Sequence, residues 1–140
     1  MHQTVQNLLN INNQIKAKIN ELKYNNYKPE IIAISKTFSI SHILPLIDYG
    51  HIHFGENKVQ EAVEKWMEIK TNNKNIKLHM VGKLQTNKVK IALKVFDFIH
   101  SLDNLKLAKK FLKSKKHVKL NRKYLFKLIL GESLKNQALV

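Results

Sequence analysis

The stretch Ile31–Ile40, IIAISKTFSI, decides how this chain is read. Four apolar residues run straight into Ser35, Lys36 and Thr37. A short continuous apolar run is what a strand buried in a parallel sheet looks like. This one ends on an ammonium, which is costly to bury unless it is paired or neutralised. Lys36 therefore either snorkels to water or takes part in chemistry.

Working outward, the same alternation repeats. Val5, Leu8, Leu9, Ile15, Ile19 and Leu22 fall at helical spacing, so a first helix is expected to end near Tyr24. Asn25, Asn26 and Pro29 make a turn. After the Ile31–Ser35 strand, Ser39 or Ser41 can cap a helix that ends at Gly50. His51–Phe54 reads as a second strand and Glu56–Lys70 as a helix with Val59, Val63, Trp66 and Met67 on one side. Lys77–Val81, helix Thr86–Val95, strand Asp97–Ser101 and helix Asn104–Leu112 follow, and Tyr124–Leu130 reads as a fifth strand. Strands alternating with helices over short connections imply a parallel α/β sheet. Two architectures fit: an open doubly wound sheet or part of a (β/α)₈ barrel.

Composition narrows the function. A chain of 140 residues with 44% apolar content is ordinary for one domain, here 1–140. It contains no cysteine, which excludes disulfides, thiolate chemistry and cysteine metal sites. No apolar run is long enough to span a bilayer. The start, MHQTVQNLLNINNQ, lacks a charged-then-apolar signal layout, so a soluble cytoplasmic protein is expected. The net charge of +15 would suit a nucleic-acid or anionic-surface partner. Against nucleic acid, the basic residues are almost all Lys, with Arg122 alone offering the bidentate fork that phosphate readers favour. The joint excess of Lys, Asn and Ile is better explained by A/T-rich coding. The charge is also uneven: residues 1–100 carry 14 Lys and 8 acids, residues 101–140 carry 11 Lys/Arg and 2 acids. Residues 113–140 form a divergent basic tail.

In either architecture ligands bind at the C-terminal ends of the strands. Those ends are Ser35-Lys36-Thr37, Phe54-Gly55-Glu56-Asn57, Val81-Gly82-Lys83-Leu84-Gln85 and Ser101-Leu102-Asp103. No GxGxxG or GxxxxGK[ST] loop is present, which weakens the nucleotide-binding versions. A lysine desolvated among such corners can act as an amine nucleophile and form a Schiff base. Thr37 can hydrogen-bond nearby, and Gly55 and Gly82 allow close backbone approach. Blander readings stand beside these: Lys36 snorkelled, Glu56 capping the next helix, Asn57 a turn residue, and Trp66 and the Leu105/Leu112 stripe as core. His51, His53 and His79 share no helix face and are read as non-metal.

Four segments then acquire a joint meaning: IIAISKT, HFGENKVQEAVEKW, LHMVGKLQTNKVK and FDFIHSLDNLKLAKKF, in this order and at this spacing. Together they resemble the pyridoxal phosphate homeostasis protein family, over about residues 5–112. The resemblance implies an alanine-racemase-like (β/α)₈ TIM barrel with an added N-terminal helix. It implies pyridoxal 5′-phosphate as cofactor, bound through a Schiff base to Lys36 with Asn57 nearby. It implies a role in cofactor homeostasis without catalytic turnover; the lack of a bilayer-length apolar run separately argues against a membrane partner.

The chain carries about the first half of such a barrel, without the later strands after which phosphate sites are usually built. In the tail, Gly131, Glu132 and Lys135 fit the family pattern, and Asn136 stands where a glycine is expected. Half a barrel leaves two open sheet edges, so marginal stability and self-association through them are expected. The alternatives are a non-functional truncated remnant and a basic interaction module using Lys106 to Lys127 on nucleic acid or anionic surfaces. A racemase-type enzyme is weaker, since no second catalytic base is identifiable.

Overall fold

The computed structural model describes residues 1–102 and 104–115. Helix α1 (Gln3–Leu22) starts at the N-cap residue His2, whose ring accepts from the Thr4 N–H, and ends at Lys23 in a left-handed turn. Four short strands follow, each succeeded by a helix: β1 (Ala33–Ile34), α2 (Ile40–Tyr49), β2 (His53–Glu56), α3 (Val59–Asn72), β3 (Lys77–Met80), α4 (Val89–Val95), β4 (Phe98–Ile99) and α5 (Leu105–Lys115). A 3₁₀ turn at Thr86–Lys88 leads into α4, where the sequence reads as one helix from Thr86.

All strands are parallel and lie in the order β1-β2-β3-β4. That order decides between the two architectures. A doubly wound sheet reverses direction at a switch point, whereas barrel strands are added one beside the next. Register is fixed by Ala33 opposite Phe54, Phe54 opposite Leu78, and Met80 opposite Ile99. Successive side chains alternate between faces. Ala33, Phe54, Leu78, Met80 and Ile99 join one core with Ile43, Trp66, Ala92, Leu93, Leu107 and Phe111 from the helices. Ile34, His53, His79 and Phe98 belong to the opposite face.

Several expectations need correction. Ile31–Ser35 reads as a fully buried strand, yet only Ala33–Ile34 pair and Ile34 is 45% exposed. Ile34 lies on the face opposite the helical core, so an apolar run overstates its burial. Ser39 takes the N-cap position of α2, but its hydroxyl bonds Ser41 and His42 rather than the helix backbone. Gly50 closes α2 at φ 101°, as its position suggests. Met67 is exposed, because α3 turns Val59, Ala62 and Trp66 inward. Leu105 and Leu112 are 70% and 61% exposed, and the core positions of α5 are Leu107 and Phe111, one helical turn apart. The fifth strand at Tyr124–Leu130, the corner residue Asp103 and most of the basic tail lie outside the described residues.

Candidate functional site

The corner after β1 is built around a buried carboxylate. Glu56 ends β2 and is fully buried, so it belongs to the strand and does not cap α3. Its Oε1 accepts from the Ser35 hydroxyl at 2.7 Å, the Lys65 ammonium at 2.9 Å and the Trp66 indole N–H at 2.9 Å. Lys65 also donates to the Ser35 carbonyl at 2.9 Å and to Glu61 at 3.1 Å. Glu61 in turn accepts from the Thr37 backbone N–H at 2.8 Å. The residues on both sides of Lys36 are thus tied to β2 and α3, while Lys36 itself is exposed. Thr37 sits at φ 65°, a left-handed conformation that a branched residue adopts only when its surroundings impose it.

The next corner is just as tight. A Cβ added at Gly82 would meet the Asn57 carbonyl oxygen at 2.4 Å, so only glycine lets β3 pass so close to β2's exit. The Asn57 Oδ1 is buried and has no hydrogen-bond partner among the described residues. Beside it lies a cleft of about 460 Å³ lined by Asn57, Lys58, Gly82, Lys83, Gln85 and Lys88 among others. Lys36 does not line this cleft. The two residues expected to serve a cofactor stand at neighbouring strand exits, and of the two only Asn57 lines this cleft.

Sequence reasoning missed a row of imidazoles on the opposite face. His53 Nδ1 meets His79 Nε2 at 3.0 Å, and His79 Nδ1 meets His100 Nε2 at 2.8 Å. Glu30 accepts from His53 Nε2 at 3.0 Å. Among the described residues no group of three or more His, Cys, Asp or Glu is arranged to hold a metal ion. Burial, then the neighbouring His100 and His53, push His79 down from about 6.5 to about 4, against an opposing pull from Asp97 and a small push from Lys70.

This lowering has a definite sign. Below pH 6.5 the unfolded chain takes up a proton at His79 that the folded chain refuses until near pH 4. Stability therefore falls as the pH drops through that window, by on the order of 2 kcal/mol at this ring. Urea unfolding at pH 7 and pH 4.5 reads the loss. His79→Gln is expected to flatten the slope relative to the parent chain; an equally steep slope in the variant would exclude His79 as its source.

A parallel sheet laid down without reversal, each strand followed by a helix, is the architecture of a segment of a (β/α)₈ barrel. No family model matches the chain. The pyridoxal phosphate homeostasis protein of Haemophilus influenzae is 37% identical over 102 residues, covering 73% of this chain and 43% of that protein. That of Buchnera aphidicola is 44% identical over 107 residues, covering 73% and 46%. Among solved structures, PipY of Synechococcus elongatus with pyridoxal phosphate bound superposes with a TM-score of 0.60 at 35% identity, covering 72% of this chain and 48% of PipY. Over the residues that align, the chain is similar to the pyridoxal phosphate homeostasis proteins. It spans about half the length of the curated relatives it matches.

Proposed function

We propose that the chain binds pyridoxal 5′-phosphate through Lys36, with Asn57 beside the cofactor, and serves vitamin B6 homeostasis in the cytoplasm without turning over a substrate. The single observation that carries this reading is the exposed Lys36 on a turn fixed from both sides at the exit of β1. The cofactor supplies an aldehyde carbon that an amine can attack. Lys36 supplies that amine, free of any hydrogen bond within the described structure. Asn57 offers a buried acceptor oxygen that lacks a donor, the kind of orphan a polar ligand satisfies. The names of the relatives describe homeostasis of the cofactor and not a reaction. No described helix is long and apolar enough to cross a membrane.

The test is a spectral titration with pyridoxal phosphate, followed by borohydride reduction and mapping of the modified lysine. The expected result is a visible imine band that reduction fixes at Lys36 and that Lys36→Ala removes. Equal labelling of the two proteins, spread over surface lysines, would sink the reading.

A further inference from the structure

We propose that Glu61, braced by Lys65, is a positioning residue: it clamps the turn at Thr37 and so sets where the Lys36 amine stands. The inference rests on Lys36 being the cofactor lysine, and goes beyond it by assigning work to helix α3.

Three observations carry it. Glu61 takes the backbone N–H of the residue directly after Lys36, while Lys65 takes the carbonyl of the residue directly before it. Both side chains come from one face of α3, four residues apart, and bond each other. The lysine turn is therefore held at both ends by a single rigid element. Second, Thr37 is left-handed at φ 65°, a strained conformation for a non-glycine residue that needs a compensating contact. The Glu61 bond is that contact, since it engages the amide of the strained residue itself. Third, the pair is anchored inward: Lys65 reaches on to the fully buried Glu56, so the clamp cannot swing with the surface. The Thr37 N–H first, and the Lys65 ammonium next, hold the Glu61 carboxyl below its usual range, so the clamp is intact at neutral pH.

A merely structural role for Glu61 would tie α3 to β1 and nothing more. The two roles part in the conservative variant and at Lys36. In Glu61→Gln the amide oxygen still accepts from Thr37, whereas Glu61→Ala removes the acceptor. Amide exchange at Thr37, followed by NMR in the full chain without cofactor, is expected to speed up about tenfold in Glu61→Ala and to stay within about twofold of the parent in Glu61→Gln. Labelling of Lys36 by limiting pyridoxal phosphate and borohydride should fall about tenfold in Glu61→Ala and recover in Glu61→Gln. Unchanged Thr37 exchange in Glu61→Ala overturns the clamp. Lost protection with undiminished Lys36 labelling overturns the positioning. Should Lys36→Ala label as fully as the parent chain, the cofactor reading fails separately, and Thr37 exchange alone decides whether Glu61 holds the turn.

Discussion

Glu56→Ala is expected to lower folding stability by about 3–5 kcal/mol, the range for breaking a buried charged network by removing one partner. Three donors lose their acceptor at once: the Ser35 hydroxyl, the Lys65 ammonium and the Trp66 indole. Lys65 keeps Glu61 and the Ser35 carbonyl, but the indole N–H has no other partner among the described residues and would be buried unsatisfied. A domain typically has about 5–15 kcal/mol in all, so the loss removes a large share of it. Urea unfolding followed by Trp66, the one tryptophan of the chain, reads the effect directly. Glu56→Gln keeps an oxygen for Ser35 and the indole and should lose about 1–3 kcal/mol. An alanine variant within about 1 kcal/mol of the parent would show that Glu56 is dispensable to the fold.

Trp66→Ala is the second large effect, again about 3–5 kcal/mol, for a different reason. Trp66 is fully buried, with its ring centroid 4.8 Å from that of Phe54. Truncation opens a cavity at the centre of the layer between α3 and the sheet, which close-packed neighbours fill only in part. Trp66→Phe keeps an aromatic partner for Phe54 and loses the N–H to Glu56, so it should fall between the parent and alanine. Since Trp66 and Glu56 touch, their losses should not add; circular dichroism on the double variant measures the coupling. Additive losses would mean that the indole bond contributes nothing.

What the sequence makes legible follows local pattern. IIAIS, HIHF and KLHM show as strands because each is a short run between turn residues, and Gly50 marks a helix end because only a residue tolerant of positive φ closes it cheaply. The Lys36 corner is readable for the same reason, as a charge out of place beside an apolar run. The rest depends on register. Glu56 looks like a capping acid, since its partners Lys65 and Trp66 lie nine and ten residues ahead and no local rule joins them. The imidazole row is invisible for the same reason: His53, His79 and His100 come from separate chain segments and meet only when β2, β3 and β4 pair. Leu105 and Leu107 are equally apolar, and only the seating of α5 chooses between them.

The unreversed strand order bears finally on how the chain is made. Each strand pairs with one that left the ribosome roughly twenty residues earlier. No described strand has to wait for a distant neighbour, so the sheet can lengthen at one edge as synthesis proceeds. Each finished βα unit can then serve as the template for the next. In pulse-proteolysis of stalled nascent chains, protection should advance stepwise, one unit at a time from β1 towards β4.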